Sequence, residues 1–381
     1  MPPPPFQIAV YISGHGYGHL TRTLNLVSLL SDTEKYSFHI RTSSPLHATP
    51  LHYGLHPSVI QTNAYQLDTE QSLNSLLNFD YSLPQAKEVQ FLQEHNIQAI
   101  ISDAPSLPCL IGHSLGIPAI LVTNFTFDSI YQALLDNVPE YANKVALHQR
   151  IDEMTQHYTL ADAVIRLPGY IPFLFKGPQI KDAPMHFRKA KQNRNETFTR
   201  HGLQSLTDKK VLLHCFGGHS LDVPSNIPKL PEGWVCVSQT IDSPPFFYKI
   251  SNNVYMPDLI GACDAVLGKL GWSTCSEVIG NGYKPFIYVP RSAFIEEVGL
   301  LSWMQTAHRK IIRLEVEEYE STNWLRAIEE AQKIQEPNLE ITMDWAKNDT
   351  DLVQIFENTL ESVLDKKAPD RENIEQAISL L

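Results

Sequence analysis

The chain has 381 residues, of which 43% are hydrophobic and 19% charged, a composition that excludes extensive disorder. At roughly 150 residues per domain, this length predicts two domains, each large enough to bury its own core. A formal net charge of -12, without any Lys/Arg-rich run, argues against a nucleic-acid partner, although backbone amides and a few cations could still bind one diphosphate.

The first half of the sequence alternates apolar runs with helical patterns. Residues 7–12 predict a strand, which breaks into a glycine loop at 13–19 and continues into a helix at 20–30. The pattern then predicts strands at 99–103, 118–123 and 163–167, the last of this half, and helices at 107–115 and 128–160. Such alternation is typical of parallel βαβ units.

The second half repeats this organisation after a basic, polar segment at 175–207, which we interpret as a linker with an entry helix. The predicted strands lie at 210–216, 235–238, 253–255, 265–267 and 286–290, and the predicted helices at 273–281, 324–334 and 350–365. We therefore predict an α/β protein with two doubly wound, Rossmann-like domains facing each other across a cleft. The expected boundaries are 1–185 and 186–345, with 346–381 packing back on the body as helices.

The glycine loop after the first predicted strand carries two histidines. In open α/β sheets a ligand binds outside the carboxyl ends of the strands, so this loop is a candidate site, although its glycine spacing is not the dinucleotide fingerprint. A neutral imidazole can accept a proton from a hydroxyl near neutral pH, and we predict His19 as the general base, with His15 as the other candidate. Asp103, at the end of a neighbouring strand, is the predicted orienting carboxylate. Alternatively, the histidines and Asp103 cap helices locally.

The segment 257–277 contains a strand that passes through glycines into a helix with a Ser/Thr-rich first turn. Unpaired amides at such a helix start favour an anion, which predicts a diphosphate site. Glu277 could accept hydrogen bonds from ribose hydroxyls, or be a surface glutamate. Glu296 and Glu297 could bind the hydroxyls of a sugar, or cap the next helix. The predicted donor-binding residues are Gly16, Gly18, Arg22, Gly217, Gly218, Gly268, Lys269, Gly271, Trp272, Ser273, Thr274, Glu277, Glu296 and Glu297.

Four motifs together resemble a known family. The segments 14–22, 122–131, 165–170 and 257–277 resemble, in order, the glycosyltransferase-like N-terminal part of plant L-arabinokinase and its stand-alone relatives. More distantly, the chain is similar to GT-B glycosyltransferases, including the peptidoglycan N-acetylglucosaminyltransferase and plant secondary-metabolite enzymes. The resemblance implies a GT-B fold, with the base at His19, its partner at Asp103 and a donor-binding carboxylate at Glu277.

Two departures limit what the resemblance implies. No galactokinase-type Gly/Ser-rich loop follows residue 300, so a sugar kinase activity is not implied. Plant-type donor loops carry a histidine-containing signature where this chain has Gly-Lys-Leu-Gly-Trp-Ser at 268–273, which leaves the nucleotide open.

The sequence thus predicts an inverting, metal-independent hexosyl- or pentosyltransferase that takes a nucleotide-diphosphate sugar as donor substrate. The resemblance to the family implies UDP as the nucleotide. It predicts no prosthetic group and no metal site. A nucleotide-sugar epimerase or hydrolase and a non-catalytic sugar-nucleotide-binding module are the alternatives. Five scattered cysteines without a CxxC pair, no signal-type start and no run of about 20 apolar residues predict a cytoplasmic protein without membrane insertion. The acceptor and a possible homodimer are left open.

Overall fold

The structure is a computed structural model that describes residues 5–31, 35–45, 47–138, 140–217, 226–251, 254–334 and 344–367. Within these ranges the strands form two parallel sheets. The first sheet contains β1 (Phe6–Ile12), β2 (Tyr36–Thr42), β3 (Ala99–Asp103), β4 (Ala119–Thr123), β5 (Ala163–Arg166) and β6 (Gln179–Asp182). The second contains β7 (Lys210–Cys215), β8 (Trp234–Ser238), β9 (Phe247–Lys249), β10 (Ala265–Gly268), β11 (Phe286–Tyr288) and β12 (Ile311–Arg313).

Helices connect the strands and cover the sheets. In the first half these are α1 (Gly18–Ser31), α2 (Thr69–Asn78), α3 (Ser82–Glu94), α4 (Leu107–Leu115), α5 (Phe127–Asp136) and α6 (Lys144–Thr159). Those that follow are α7 (Arg194–Arg200), α8 (Met256–Ala262), α9 (Trp272–Gly280), α10 (Glu296–Ala307), α11 (Val316–Glu320), α12 (Leu325–Lys333) and α13 (Trp345–Lys367), with a short 3-10 turn at Gln204–Leu206.

The first sheet has the strand order β2-β1-β3-β4-β5-β6. Its central strands β3 and β4 are buried along their whole length, as expected for near-continuous apolar runs covered on both faces. The parallel register pairs Ile12 of β1 with Asp103 of β3. The glycine loop after β1 and the carboxylate at the end of β3 therefore start from neighbouring positions on one sheet edge.

The second sheet has the order β12-β11-β10-β7-β8-β9, so β10 lies between β7 and β11. Gly268 ends β10 opposite Cys215 of β7, and a Cβ at Gly268 would overlap the Cys215 carbonyl oxygen. Only glycine fits this close approach of two backbones. The loops after β7, β10 and β11 consequently emerge side by side at the carboxyl edge of the sheet.

Several predicted elements need correction. The predicted helix at 128–160 is two helices, α5 and α6, because Asn143, immediately before α6, adopts a left-handed conformation (φ 63°) that does not continue an α-helix. The strand predicted at 163–167 is not the last of its half, since the polar edge strand β6 follows it. Val254 and Tyr255 of the predicted strand 253–255 are irregular and lead into α8, while residue 253 lies outside the described residues.

The two halves pack on each other through a continuous apolar core, which contains Val10 of β1 as well as Val266 of β10. The last helix, α13, returns to contact α1 and β5 of the first half. In the opposite direction, a hairpin closed by Gln61 and Leu67 places Tyr65 in the apolar core of the second half. No helix in the described ranges is long and apolar enough to cross a membrane.

Candidate active site

The glycine loop after β1 is held by a buried serine. Ser13 Oγ lies 2.9 Å from His56 Nε2 and accepts the His15 backbone N–H at 3.0 Å. His56 Nδ1 faces the Pro57 carbonyl at 2.7 Å, so it donates there and Nε2 accepts from Ser13; burial lowers the pKa of His56 to about 4 and keeps it neutral. Gly16 (φ 70°) allows the left-handed turn that brings the chain into α1.

His19 lies in the first turn of α1 and is hydrogen-bonded to Asp103. Its Nδ1 is 3.0 Å from Asp103 Oδ1, and both residues are buried, with 7% and 1% of their surface exposed. The ring packs edge-on against Phe125, with 5.3 Å between ring centroids. With the Nδ1 proton donated to Asp103, the Nε2 lone pair is available to accept a proton from a hydroxyl.

The buried carboxylate of Asp103 has further donors around it. Arg22 donates through both Nε (2.8 Å, to Oδ2) and Nη2 (to Oδ1), and the Thr23 hydroxyl donates to Oδ2 at 2.5 Å. Burial would raise the pKa of Asp103, but the charges and hydrogen bonds of Arg22 and His19 outweigh it and hold the pKa well below its usual value. Asp103 is therefore an ionised, fully hydrogen-bonded group behind His19.

Arg22 also faces the histidine itself. Its Nη2 is 3.0 Å from His19 Nδ1, the same nitrogen that approaches Asp103. A guanidinium only donates, so this contact is a hydrogen bond only when Nδ1 is unprotonated. The two tautomers of His19 thus have different partners, Asp103 in one and Arg22 in the other.

Across the cleft, α9 begins with its amides open. Its N-cap is Gly271, and no side chain in the described part of the chain caps it. Ser273 Oγ donates to the Gly18 carbonyl at 3.0 Å and Trp272 Nε1 to the Pro168 carbonyl at 2.8 Å, so this turn is fastened to the first half. Because α1 begins at the same place, two helix N-termini face one cleft, an arrangement that favours an anion.

Lys269 follows β10 and lines the same cleft. Its ammonium makes no hydrogen bond or ion pair with the residues that the structure describes. Burial lowers the pKa of Lys269 well below its usual value, and the nearby charge of Arg291 adds to this, against the opposing effect of Glu296. An anionic ligand in the cleft would supply the partner that Lys269 lacks among the described residues.

The two glutamates that begin α10, Glu296 and Glu297, lie near the first half of the chain. Glu296 Oε1 accepts from the Asn124 side-chain amide at 3.0 Å, and its Oε2 accepts from Arg291 at 3.3 Å. Glu297 instead accepts from the backbone N–H of Arg291 at 3.0 Å and from its Nε at 3.2 Å. Glu296 therefore reaches the cleft, whereas Glu297 holds Arg291 in place.

The cleft has a volume of about 650 Å³, part of it open to solvent, and most of the predicted site residues line it. Those residues are His15, Gly16, Gly18, His19, Arg22, Gly217, Lys269, Gly271, Trp272, Ser273, Thr274 and Glu296. Residues that sequence reasoning missed are Tyr17, Phe125, Arg291 and Phe294. Phe125 and Arg291 follow β4 and β11, so the rule that ligands bind at the carboxyl ends of strands could have found them.

Other predicted site residues lie beside the cleft. Asp103 lies behind His19, and Gly268 packs on β7. Glu277, buried in α9, forms an ion pair with Arg188 at 2.6 Å; burial raises its pKa and the arginine opposes this. Glu297 is turned toward Arg291, and Gly218 lies outside the described residues.

We find no cluster of three or more His, Cys, Asp or Glu side chains suited to a metal ion among the described residues. The sequence does contain an Asp-x-Asp triplet, Asp349 to Asp351, but it lies in α13. There Asp349 pairs with Lys189 at 2.6 Å.

Several solved structures that share the fold of this chain are glycosyltransferases. The glycosyltransferase of kitacinnamycin is 15% identical, with a TM-score of 0.59 and coverage of 96% of this chain and 100% of that one. The calicheamicin glycosyltransferase CalG4 is 15% identical (TM-score 0.55, 96% and 100% covered). A UDP-glucosyltransferase from Polygonum tinctorium is 12% identical (TM-score 0.54, 100% and 98% covered). The chain therefore has the GT-B fold, and the predicted fold class is confirmed.

Among curated proteins, L-arabinokinase of Arabidopsis thaliana is 30% identical over 319 residues, which confirms the resemblance predicted from the motifs. The match covers 78% of this chain, and the chain spans 29% of the length of that relative. No protein-family model matches the sequence. None of these comparisons supports the homodimer that the sequence left open.

Proposed function

We propose that this protein transfers a glycosyl group from a nucleotide-diphosphate sugar, with UDP as the nucleotide, to an acceptor hydroxyl, with inversion and without a metal ion. The observation that carries the proposal is the placement of the His19–Asp103 pair, 3.0 Å apart, opposite the open N-terminus of α9 in one cleft. A base on one side and an anion site on the other are the two parts that such a transfer needs. In this proposal 1–185 is the acceptor-side domain, 186–345 the donor-side domain and 346–381 the C-terminal segment, of which residues 368–381 lie outside the described part of the chain.

The reaction step follows from these positions. His19 Nε2 accepts the proton of the acceptor hydroxyl while its Nδ1–H stays on Asp103. The hydroxyl oxygen attacks the anomeric carbon from the side opposite the diphosphate, a new C–O bond forms and the bond to the diphosphate breaks, so the configuration inverts. The α9 amides and Lys269 stabilise the negative charge that develops on the departing diphosphate.

The second half supplies further donor contacts in this proposal. Among the described residues only Arg188 donates to the Glu277 carboxylate, through Oε1, so Oε2 can accept a ribose hydroxyl. Glu296 lines the cleft beyond α9 and is the proposed partner for hydroxyls of the transferred sugar. Glu297 acts through Arg291 in this proposal rather than by touching the donor.

A variant pair tests the base. We expect His19→Gln to lower release of UDP from the best-binding UDP-sugar, measured with a panel of hydroxyl acceptors, by about 10²- to 10⁴-fold. The matched control is His15→Gln, for which we expect a loss below about 10-fold, because the Asp103 carboxylate is bonded to His19. Near-normal transfer by His19→Gln would remove His19 as the base.

Two further experiments test the other parts of the proposal. The anomeric configuration of the product, read by NMR, tests inversion. Incubation with the donor alone detects an epimerase or a hydrolase.

One observation favours a second candidate, a sugar-nucleotide-binding module without turnover. Arg22 Nη2 can donate to His19 Nδ1, which would place the imidazole proton on Nε2 and leave His19 without a lone pair facing the cleft. This candidate predicts nucleotide-sugar binding in calorimetry with no UDP released in the presence of any acceptor. Nitrogen chemical shifts of the His19 ring would show directly which nitrogen carries the proton.

A further inference from the structure

We propose that Asn124 is a positioning residue that orients Glu296 toward the donor sugar and ties it to Arg22, the guanidinium that holds the His19–Asp103 pair. This inference rests on the proposed function, because it assumes that a sugar lies against Glu296. It concerns a residue to which neither the motifs nor the cleft lining gives a role.

The Asn124 side chain bridges the two halves. Asn124 directly follows β4 and is completely buried. Its Oδ1 accepts from Arg22 Nη1 at 2.6 Å, and its Nδ2 donates to Glu296 Oε1 at 3.0 Å. One amide therefore connects the network behind the base to a carboxylate that lines the opposite wall of the cleft.

The orientation of this amide is fixed by its partners. A guanidinium can only donate and an ionised carboxylate can only accept, so the Asn124 oxygen must face Arg22 and its NH₂ must face Glu296. A flipped amide would point NH₂ at the guanidinium and oxygen at the carboxylate, and both contacts would be repulsive. The hydrogen bonds thus run in one direction, from Arg22 through Asn124 to Glu296.

The backbone around Asn124 is equally constrained. Its carbonyl accepts from the backbone N–H of Ile171 at 3.0 Å, and the preceding Thr123 hydroxyl donates to the carbonyl of Phe125 at 2.7 Å. The Phe125 ring packs against His19. A residue held on both sides in this way can fix the position of a partner.

Glu296 has capacity left for a ligand. Asn124 occupies one bond on Oε1 and Arg291 one bond on Oε2, and each carboxylate oxygen can accept another. Those two positions suit a pair of neighbouring sugar hydroxyls. Because Asn124 and Arg291 hold the carboxylate from two directions, loss of Asn124 leaves it free to rotate away from the hydroxyls.

The position of Asn124 predicts that a variant loses affinity for one kind of ligand and not for the other. Nucleoside diphosphate binding uses the α9 amides and Lys269, which Asn124 does not touch. The added binding of the sugar uses Glu296. A variant at Asn124 should therefore weaken binding of the complete nucleotide sugar and leave nucleoside diphosphate binding nearly unchanged, a split that a general loss of structure would not produce.

The test compares UDP with the UDP-sugar that wild type binds most tightly among UDP-glucose, UDP-galactose and UDP-xylose. By calorimetry, we expect Asn124→Ala to weaken the UDP-sugar by about 10-fold and UDP by less than about 2-fold. In the Glu296→Gln background the same change should cost less than about 2-fold, because the partner has already lost its charge. Thermal unfolding checks that each variant is folded.

A second variant keeps the test decisive if Asn124→Ala does not fold. Asn124→Asp retains an acceptor for Arg22 but sets a carboxylate against Glu296, so it should show the same split between UDP and UDP-sugar. Equal weakening of both ligands, or full additivity with Glu296→Gln, would overturn the inference. If wild type binds both ligands but transfers no sugar, the proposed catalysis is wrong, and the difference between UDP and UDP-sugar binding still decides the inference about Asn124. If wild type binds neither ligand, both the proposed function and this inference are wrong.

Discussion

The two walls of the cleft differ in how far their polar groups are already paired. On the first wall, His19, Asp103 and Arg22 are buried and bonded to one another. On the second wall, within the part of the chain that the structure describes, the α9 N-terminus has no side-chain cap and Lys269 has no hydrogen-bond partner. A saturated network maintains its geometry without a ligand, whereas an unsaturated one gains its partners from a ligand.

This contrast separates stability from binding. A change on the first wall removes a partner from a buried charge and should lower both the free energy of unfolding and the activity. A change on the second wall should affect ligand affinity with little loss of stability.

The largest expected effect belongs to Asp103→Asn. Removing the charge leaves the buried Arg22 without its counter-ion, so we expect the free energy of unfolding in urea to fall by roughly 3 kcal/mol. Because the His19 tautomer loses its orienting carboxylate, transfer should fall by about 10³- to 10⁴-fold.

The matched control is Asp182→Asn, which removes an exposed partner of Arg166. It should cost less than about 1 kcal/mol and leave transfer unchanged. Equal stability losses in the two variants would show that the first wall is no better paired than the surface.

The negative charge of Asp103 also makes the stability of the protein depend on pH in a predictable direction. Burial works against ionisation of Asp103, but Arg22 and His19 hold its pKa well below the usual 3.8. A group with a lowered folded pKa contributes stability that is complete above its unfolded pKa and lost as pH falls. The stability difference between wild type and Asp103→Asn should be constant above about pH 5 and shrink progressively below about pH 4.

A smaller, purely ligand-linked effect is expected for Lys269→Met. Loss of one charge-assisted contact to phosphate should weaken UDP and UDP-sugar alike, by about 10- to 100-fold in calorimetry. The free energy of unfolding should not fall, since the wild-type ammonium is partly buried and has no partner among the described residues.

Lys269 also predicts how affinity varies with pH. Burial lowers the pKa of the free ammonium, and the diphosphate favours its charged form, so UDP-sugar affinity should decrease as pH rises and lose this dependence in Lys269→Met. Lys189→Met, at an exposed pair with Asp349, is the control and should change neither quantity. A stability loss in Lys269→Met that matches Asp103→Asn would abolish the contrast between the walls.

We expect the smallest effect at Trp272, whose hydrogen bond joins the two walls of the cleft. Trp272→Phe removes the hydrogen bond from Nε1 to the Pro168 carbonyl, 2.8 Å long, and should cost about 1 kcal/mol of unfolding free energy. UDP binding should weaken by less than about 3-fold, because the α9 amides remain. Trp234→Phe, which removes a bond to Gln332 away from the cleft, should lower stability without changing UDP binding.

The sequence predicted those parts of the molecule that leave a local pattern. The buried strands β1, β3 and β4 are continuous apolar runs, and the glycine loops follow strands, so the sheet edge and the pairing of His19 with Asp103 could be anticipated. The sequence did not predict the edge strand β6, because its residues, Gln-Ile-Lys-Asp, are mostly exposed and do not form an apolar run.

Contacts between distant segments left no such pattern. Asn124 and Glu296 are 172 positions apart and Arg188 and Glu277 are 89 apart, and no periodicity links either pair. Glu277 shows the consequence, because its position in the chain indicated a ribose ligand while its ion pair with Arg188 depends on how the segment after β6 folds back. Tertiary pairing of charges is decided by packing rather than by local sequence.

Because of the hairpin at 61–67, the second half of the protein depends on the first half for a complete core. Tyr65 comes from the first half of the chain, yet its ring packs against Tyr319, its hydroxyl donates to Glu320 at 2.8 Å and its carbonyl accepts from Ser292. A chain cut after residue 185 would leave the second piece with an apolar cavity where this ring belongs and the first piece without the α13 cover. The halves should therefore be recovered as soluble protein only when they are produced together, as a complementing pair of fragments.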